Sequence, residues 1–214
     1  NVLRKNQSFQ KVVDLIGWEK PDIIALVEPN QAWLEGLAAL QGGYPYWHSI
    51  PREDNYGLAL LSRYPLRDPA TVELTGKGVP TIFAQVDLPE GNVTLIVTHP
   101  PPPKSTPDLR WRDLQLERLA EMARQQNGEA VVLCGDFNTV PWSRAFRRMA
   151  HRAGLVDSSQ GFGYQPTWPV DRPWLRVPID HCLASPGWKV AGRRIGAAVG
   201  SDHLPLIVDF QKEV

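Results

Sequence analysis

A surplus of charge of either sign is absent from this sequence. Its 214 residues carry 23 lysines and arginines against 23 aspartates and glutamates, so the formal net charge is zero. Proteins that bind nucleic acid mainly by neutralising phosphates usually have a basic surplus. The balance therefore argues against a tight, non-specific DNA-binding protein, although a local basic patch would suffice for a nucleic-acid substrate.

Cysteine is also scarce, since only Cys134 and Cys182 are present. Two cysteines do not define a disulfide framework. Each lies two positions from an aspartate inside an apolar run, a setting typical of a small buried side chain. We therefore expect two buried thiols, and a single bridge is the alternative if their strands are neighbours.

Long hydrophobic runs are missing as well. No stretch of about 18 apolar residues exists to span a membrane, and no signal peptide is recognisable. The chain begins at Asn1, without an initiating methionine and within what reads as a motif. We expect the sequence to be part of a longer protein, with a first strand upstream of Asn1, so its localisation stays open.

Proline and tryptophan are abundant, with 20 and 8 residues respectively. Prolines stiffen loops and aromatic side chains on loops often shape a binding mouth, so we expect rigid connections around a cleft. Apolar spacing predicts helices at about 9–16, 30–41, 106–123 and 143–152. Short apolar runs predict strands at about 22–27, 57–62, 81–86, 93–97, 130–133, 179–184, 188–195 and 204–210.

This order of elements predicts an α/β fold. Helices interleave with two groups of strands, which favours a four-layer sandwich of two mainly antiparallel β-sheets packed face to face, with helices on both outer sides. An open, doubly wound sheet is the alternative. No repeat, low-complexity tail or long polar linker interrupts the chain, so residues 1–214 are expected to form a single domain.

Polar side chains stand at the ends of five apolar segments. They are Glu28, His99, the Asp136-Phe137-Asn138 run, Asp180, and the Asp202-His203 pair. Taken singly, each has an ordinary explanation as a helix-starting acid, a turn former or a surface histidine. Strand ends of a layered α/β fold meet at one rim, where loops converge on a site. Their joint occurrence therefore predicts one functional site.

The spacing of these motifs indicates where the side chains point. In Asp136-Phe137-Asn138 the polar residues are two apart, so an extended backbone would direct both to one face. The same parity directs His181 away from Asp180, which favours a structural role for His181.

An oxygen-rich set of side chains suggests a hard divalent metal. Glu28, Asp136 and Asp202, with Asn138 close by, would offer the oxygens that Mg²⁺ or Mn²⁺ prefers. Neither cysteine has a zinc-binding spacing, and the histidines are too scattered for a typical zinc site. A serine nucleophile is disfavoured because no Gly-x-Ser-x-Gly elbow is present.

These motifs resemble those of the endonuclease/exonuclease/phosphatase superfamily, the family of DNase I, exonuclease III and the inositol polyphosphate 5-phosphatases. They occur in the family's order across essentially the whole chain. The residues that carry the resemblance are Glu28, Thr98-His99, Gly135-Asp136-Phe137-Asn138, Ile179-Asp180 and Ser201-Asp202-His203-Leu204-Pro205. The resemblance implies a DNase I-like sandwich that hydrolyses a phosphate ester with a divalent metal, Mg²⁺ or Mn²⁺.

The resemblance also implies a role for each residue. Glu28 would bind the metal directly, with Asp202 close to it. His203 would be the imidazole next to the scissile phosphate, oriented by Asp180. The expected reaction is attack of water on a phosphodiester or phosphomonoester, assisted by this Asp–His pair.

Four other residues would surround the reacting phosphate. Asp136 and Asn138 would position the attacking water and the phosphate, and His99 would stabilise the developing charge. Asn1 would match the asparagine that ends the family's first strand.

Aromatic and basic residues near the motifs are candidates for substrate binding. The loop from Tyr164 to Val177 precedes Asp180 and should overhang the site, either as a recognition lid or as a packed, proline-rich connection. The candidate substrate-binding residues are Asn1, Trp142, Trp168, Arg172, Trp174 and Arg176.

Two short segments, Asn1–Asn6 and Pro29–Leu34, are similar to a bacterial branch that includes the VanJ-type glycopeptide-resistance proteins. In that branch the catalytic domain follows membrane helices, which implies an extracytoplasmic, tethered domain acting on lipid-linked phosphates. A nuclease acting on DNA or RNA and a polyprenyl pyrophosphate phosphatase are both alternatives. A binding module that kept the fold without catalysis is a third. We expect a monomer with no obligate protein partner.

Overall fold

Helices and short strands alternate along the chain in the computed structural model, which describes residues 1–126 and 130–212. The helices are α1 Phe9–Glu19, α2 Gln31–Gly36, α3 Thr106–Arg124 and α4 Arg144–Ala153. The strands are β1 Ile23–Val27, β2 Tyr46–Ile50, β3 Leu58–Ser62, β4 Leu66–Glu73, β5 Pro80–Leu88, β6 Gly91–Thr98, β7 Ala130–Asp136, β8 Val156–Asp157, β9 Asp180–Ala184, β10 Trp188–Ile195 and β11 Leu206–Lys212. Within these described ranges, no helix combines the length and the apolar character needed to cross a bilayer.

Six strands form the larger sheet, in the order β4-β5-β6-β7-β9-β8. Neighbouring strands are antiparallel except for β6 and β7, which run parallel. A parallel pair needs a long crossover connection, and the segment containing α3 supplies it. Because β6 and β7 run parallel, their ends lie at the same edge of the sheet. His99 follows one end, and Asp136 forms the other.

The second layer consists of two smaller sheets. Strands β1, β3 and β2 make a three-stranded antiparallel sheet, and β10 pairs with β11. Both contribute to the core that faces the larger sheet, through Val27, Leu58 and Leu60 on one side and Leu206, Val208 and Phe210 on the other. The predicted face-to-face sheets are therefore present, with the second layer divided into two among the described strands.

Alternating residues on one strand serve two different cores. On β3, Leu58 and Leu60 face the core between the sheets, whereas Ala59 and Leu61 belong to the core formed with α1 and α2. Side chains of a strand point alternately to opposite faces, so burial on both faces produces the continuous apolar run seen in the sequence.

The larger sheet follows the same rule with the other pair of helices. Leu133 of β7 and Leu183 of β9 pack under α3 and α4, while Val132 and Ala184 face the core between the sheets. Three cores thus separate four layers, helices, sheet, sheet and helices. The predicted four-layer α/β sandwich is confirmed.

The structure departs from the predicted elements mainly at the edges. The helix expected at 30–41 is divided into α2 and a 3-10 turn, Ala38–Gly42. Strands β2, β4 and β8 have no counterpart among the predicted strands. For β4 the reason is clear, because it is a largely exposed edge strand that contains Pro69, a positive φ at Asp68 and a bulge before Ala70. Such a strand lacks the apolar pattern by which strands are recognised.

Cys134 and Cys182 lie directly opposite each other on β7 and β9. Cys182 is buried and Cys134 is partly buried, both beside the core between the sheets. Both are free thiols in the structure. Because their strands are neighbours, the bridge that the sequence left as an alternative depends on oxidation and is not prevented by the topology.

Gly135 lets β6 and β7 approach each other just before Asp136. Its φ is +144°, and an added Cβ atom would lie 1.9 Å from the carbonyl oxygen of Thr98. We expect Gly135→Ala to lower the free energy of unfolding by about 2–5 kcal/mol, because it adds both backbone strain and a clash with backbone. Thermal unfolding followed by circular dichroism should show a fall in Tm of roughly 5–15 °C.

Gly76→Ala is the matched control for this variant. Gly76 has a φ of +72°, but no atom lies within 4 Å of an added Cβ. The free energy of unfolding of this variant should fall by only about 1–2 kcal/mol, the cost of placing alanine in a left-handed backbone conformation. Equal losses in the two variants would contradict close approach of β6 and β7 as the reason for a glycine at position 135.

Candidate active site

The side chain of Asn1 joins two of the predicted site residues. Its Nδ2 donates to Oε1 of Glu28 at 2.9 Å and to Oδ2 of Asp136 at 3.2 Å. Its backbone carbonyl accepts a hydrogen bond from Oγ of Ser201 at 2.8 Å. Segments from the start, the middle and the end of the chain therefore meet at one rim of the sandwich.

Asp136 and Asp180 form a directly opposed pair on β7 and β9. The neighbouring pair is hydrogen-bonded, since the Phe137 N–H donates to the Ile179 carbonyl at 2.8 Å. Hydrogen-bonded and non-hydrogen-bonded pairs alternate along an antiparallel ladder, and side chains stand closer in the latter. Asp136 and Asp180 occupy a non-hydrogen-bonded pair, so the strand pairing itself brings two carboxylates together.

The proximity of these carboxylates changes their acidity. Burial, reinforced by the charge of Asp180, raises the pKa of Asp136 to about 6. Asp180 behaves differently: burial opposes its ionisation, but contact with His203 holds its pKa well below the usual range. Asp180 is thus the permanent anion of the pair, and Asp136 is the carboxylate that can hold a proton near neutrality.

His203 hydrogen-bonds to Asp180 through Nδ1, with a Nδ1–Oδ2 distance of 2.8 Å. This contact places the proton on Nδ1 and leaves Nε2 as the basic nitrogen, 3.5 Å from Oδ2 of Asp136. Burial alone would lower the pKa of His203, but the Asp180 carboxylate outweighs burial and the net pKa lies above its ordinary value. The backbone N–H of His203 donates to Oγ of Ser201 at 3.1 Å, which fixes the turn that presents the ring.

His99 is a second imidazole that lies close to Asp136, in addition to His203 of the Asp180–His203 pair. Its Nδ1 is 3.1 Å from the carbonyl oxygen of Asn55, and its Nε2 is 3.6 Å from Oδ2 of Asp136. Burial lowers the pKa of His99 to about 4, so the free site holds a neutral imidazole near pH 7. Its role in stabilising phosphate charge stays a prediction.

Asn138 does not follow the extended-strand parity that the sequence suggested. Its φ is +50°, and its backbone N–H turns back to donate to Oδ1 of Asp136 at 2.9 Å. Its side-chain amide donates to the carbonyl of Pro100 at 3.0 Å. The expected extended backbone from Asp136 to Asn138 was wrong, because β7 ends at Asp136 and a side-chain-to-backbone turn begins there.

Glu28 and Asp202 each hold a buried oxygen without a partner among the described residues. These atoms are Oε2 of Glu28 and Oδ1 of Asp202. A buried carboxylate oxygen without a donor is costly, and a hard divalent cation is a common partner for such an oxygen. Glu28 also adopts a left-handed backbone, with a φ of +64°, a conformation that is uncommon for a residue other than glycine. The donor set therefore fits the predicted metal.

A different trio, Asp136, Asp180 and His203, also brings three ligand-type atoms within 4.8 Å of one another. The Asp180–His203 contact has the length of a charge-assisted hydrogen bond, and it already occupies Nδ1 of the ring. Glu28 lies outside this trio, and its Oε2 has no hydrogen-bond partner among the described residues.

Trp168 brings the loop from Tyr164 to Val177 onto the site. Its indole Nε1 donates to Oδ2 of Asp202 at 3.1 Å, and its ring centroid is 6.3 Å from that of His203. The backbone N–H of Val170 donates to the Asp202 carbonyl at 2.9 Å. The loop therefore borders the predicted catalytic residues through at least this one aromatic side chain.

The other candidate substrate-binding residues have varied surroundings. Arg176 donates to the carbonyls of Pro169 and Val170, so it stabilises the loop in this structure. Arg172 is mostly exposed beside Asp171. For the largely exposed Trp174 and Trp142, the described part of the chain shows no hydrogen bond or ring contact with the predicted catalytic residues. Their substrate contacts stay predictions.

A profile of the Endonuclease/Exonuclease/phosphatase family matches residues 1–203 of this chain. The chain belongs to the endonuclease/exonuclease/phosphatase family. As a member of this family, it is a hydrolase that acts on phosphate ester bonds. Enzymes of the family are typically dependent on a divalent metal, in agreement with the unpartnered oxygens of Glu28 and Asp202.

Solved structures of other endonuclease/exonuclease/phosphatase proteins share the fold. The protein of this family from Beutenbergia cavernae DSM 12333 is 23% identical, with a TM-score of 0.75, over 95% of this chain and 66% of that chain. D. rerio TDP2 complexed with a single-strand DNA product is 15% identical, with a TM-score of 0.80, over 96% of this chain and 92% of that chain. The human Nocturnin catalytic domain with a bound sulfate anion is 21% identical, with a TM-score of 0.79, over 99% of this chain and 88% of that chain. This chain spans just under two thirds of the Beutenbergia cavernae protein, and a search of curated protein sequences finds no match.

The structure also reveals two residues that support the site and that the sequence analysis did not identify. Arg112 of α3 is buried and donates to the Asn138 carbonyl at 3.0 Å, which fixes the turn after Asp136. Oγ1 of Thr167 faces the backbone N–H of Asp180 at 3.4 Å. No local pattern marks either residue, because each acts across a long sequence separation.

Proposed function

We propose that this chain is a divalent-metal-dependent phosphoesterase that uses His203 as general base for attack of water on a phosphate ester. The observation that carries the proposal is the Asp180–His203 contact, which leaves the basic Nε2 of His203 directed toward the site. An imidazole held in this way can take a proton from water while its charge is stabilised by the carboxylate. Asp180 is the positioning residue of the pair.

Glu28 would hold the metal, Mg²⁺ or Mn²⁺, with Asp202 close by. Both residues have a buried oxygen without a partner, and oxygen ligands match these hard cations. A divalent cation at this position would neutralise charge on the phosphate ester. Asn1 connects Glu28 to Asp136, so it would keep the metal-binding and proton-transferring parts of the site in register.

Asp136, Asn138 and His99 would contact the water and the phosphate. Asp136 is within 3.6 Å of both imidazole rings, so its carboxylate is central among the polar groups. Its raised pKa near 6 would allow it to accept or share a proton, and a nearby cation would move that pKa downward. The neutral His99 ring donates through Nδ1 to the Asn55 carbonyl, so its Nε2 would donate to the phosphate only after gaining a proton.

The proposal leaves the substrate class open. A nuclease acting on DNA or RNA remains a candidate, as does the polyprenyl pyrophosphate phosphatase suggested by the VanJ-type resemblance. The test is hydrolysis of a chromogenic phosphodiester and a chromogenic phosphomonoester, with Mg²⁺, with Mn²⁺ and with EDTA. A panel of duplex DNA, single-stranded RNA, inositol phosphates and polyprenyl pyrophosphate would then rank the candidates. Absence of metal-dependent turnover on every substrate would favour the non-catalytic binding module.

Asp180→Asn should lower kcat about 100-fold or more, because the imidazole loses the carboxylate that orients it and stabilises its charge. The pH profile should change as well. A general base is inactive when protonated, so activity falls as the pH drops through the pKa of His203. Since Asp180 raises that pKa, its removal should move the acidic limb of kcat to lower pH. The exposed Asp14→Asn is the matched control, and an unshifted acidic limb in Asp180→Asn would count against His203 as the base.

A further inference from the structure

The outward face of α4 is basic along its whole length. Helix α4 contains no aspartate or glutamate, and its basic residues recur at the spacing i, i+3, i+4, i+7 and i+8. This spacing places them on one face of the helix. All of them are exposed, and they are Arg144, Arg147, Arg148, His151 and Arg152. We call this set the α4 basic stripe.

The stripe is only partly neutralised by carboxylates. Glu117 of α3 pairs with Arg148 at 3.2 Å and lies 3.9 Å from Arg152. Arg144 and Arg147 form no ion pair with a carboxylate of the described residues. These two guanidinium groups can therefore bind an anion without first breaking an ion pair.

Arg124 of α3 extends the positive surface beyond the stripe. A shallow depression between α3 and α4 is lined by Ala120, Glu121, Arg124, His151 and Arg152. Arg124 is exposed and has no ion pair in the described part of the chain, whereas Glu121 pairs with Arg118 at 2.8 Å. Positive charge is thus concentrated on this face, although the chain as a whole has no net charge.

The chemistry and the length of the stripe suit a row of phosphates. Its members other than His151 are arginines, whose guanidinium groups match two phosphate oxygens and are more weakly hydrated than ammonium groups. From Arg144 to Arg152 the stripe is about 12 Å long, because each helical residue adds about 1.5 Å. Phosphates of one DNA strand follow each other at about 3.4 Å along the axis. The stripe can therefore contact about three successive phosphates.

The apolar side of α4 is already occupied. Phe146, Met149 and Ala153 are buried in the core formed with α3 and the larger sheet. An amphipathic helix that binds a membrane inserts such a face among the lipids. Since α4 offers only its charged face, a phosphate polymer is favoured over a membrane surface.

The start of α4 is anchored to the segments that hold the predicted catalytic residues. Oγ1 of Thr139, three residues after Asp136, donates to Oγ of the N-cap residue Ser143 at 2.8 Å. The carbonyl of Thr139 accepts from Nε2 of His181, the residue after Asp180, at 2.8 Å. His181 packs on the α4 side of the sheet, as its parity predicted. The stripe therefore begins at the turn that follows Asp136.

We propose that the α4 basic stripe binds the sugar-phosphate backbone of a nucleic-acid strand. Contacts to phosphates fix the position of a strand and do not depend on its base sequence. Because the stripe begins beside the candidate active site, the bound strand would be the substrate, and this part of the inference rests on the proposed function. A local patch of this kind supplies the positive charge that the whole chain lacks.

The test is binding of a fluorescently labelled DNA of about 20 nucleotides, single-stranded or duplex, followed by anisotropy in EDTA. Without a divalent metal the proposed hydrolysis does not run, so binding is measured apart from turnover. The variant is Arg144→Gln/Arg147→Gln, which breaks no ion pair. It should raise Kd at least about fivefold at about 50 mM salt. The slope of log K against log salt should become shallower by about 1.4 for the single strand or about 1.8 for the duplex.

The matched control is Lys11→Gln/Lys189→Gln, which removes the same charge from exposed positions on α1 and β10. Its Kd and its salt slope should stay within error of the unchanged protein, and Tm is measured for both variants. Equal Kd values for the two variants would overturn the proposal, as would the absence of DNA binding by the unchanged protein.

Vesicles with and without phosphatidylserine, in phosphatidylcholine, test a membrane surface as the partner. Vesicle binding that the arginine variant loses, with unchanged DNA binding, would overturn the proposal in favour of a membrane. Hydrolysis of a chromogenic phosphodiester by a protein that binds no DNA would overturn this inference alone and leave the proposed function standing. DNA binding through the stripe without hydrolysis of any substrate would support the stripe and contradict the proposed function.

Discussion

Replacing His203 with alanine is expected to lower kcat by about 10²–10⁴-fold, which corresponds to roughly 3–5 kcal/mol of activation free energy. The reason is that Nε2 of His203 is the basic nitrogen of the site, held by the 2.8 Å contact with Asp180. The other nearby imidazole, His99, is too weak a base to replace it, because burial keeps the pKa of His99 at about 4. The measurement is kcat at saturating metal and substrate, on the phosphoester that the panel identifies.

The controls for this variant concern folding and metal binding. His203 is buried, so alanine leaves a cavity and removes a donor from Asp180, and some loss of Tm is expected. His203→Asn is the more conservative companion, since its amide retains a donor but provides no basic nitrogen. Both variants should bind Mn²⁺ with nearly unchanged affinity. Near-native kcat in either variant would contradict the proposed mechanism while leaving the fold assignment intact.

Glu28→Gln is expected to weaken metal binding at least tenfold, or about 1.4 kcal/mol, and to lower activity at limiting Mn²⁺ by a similar factor. Glutamine retains the carbonyl oxygen that accepts from Asn1 but loses the negative charge of the carboxylate whose Oε2 has no partner. Part of the activity should return at high Mn²⁺, because mass action refills a weakened site. This recovery distinguishes a metal ligand from a general base.

Calorimetric titration of Mn²⁺ gives the Kd independently of turnover, and kcat measured against Mn²⁺ concentration gives the recovery. Glu35→Gln, an exposed change on α2, is the matched control and should leave both unchanged. A Glu28→Gln protein that binds Mn²⁺ as tightly as the unchanged protein would remove Glu28 from the metal site. In that case Asp136, Asp180 and His203 would become the alternative ligand cluster.

The family and the layers of the fold were predictable from the sequence because their signals are local. Continuous apolar runs identify strands buried on both faces, as Leu58 to Leu61 show. The specific order of strand-end motifs, above all Ser201-Asp202-His203-Leu204-Pro205, identified the family that the profile confirms over residues 1–203. Exposed edge strands such as β4 escaped because polar, bulged segments have no periodic pattern.

The sequence by itself determined which chemical groups stand at the strand ends, and hence the reaction class. Only the tertiary structure decided the geometry and the protonation of each of these groups. Pairing of β7 with β9 sets Asp136 opposite Asp180. Burial favours a raised pKa for both, but the hydrogen bond with His203 lowers the pKa of Asp180 and so separates the two. The backbone after Asp136 turns instead of extending, which brings the backbone N–H of Asn138 to the Asp136 carboxylate. The physical reason is the sequence separation of the interacting residues. Side-chain parity follows from a few neighbouring residues, whereas strand pairing, burial and unsatisfied hydrogen bonds depend on segments that meet only in the folded chain.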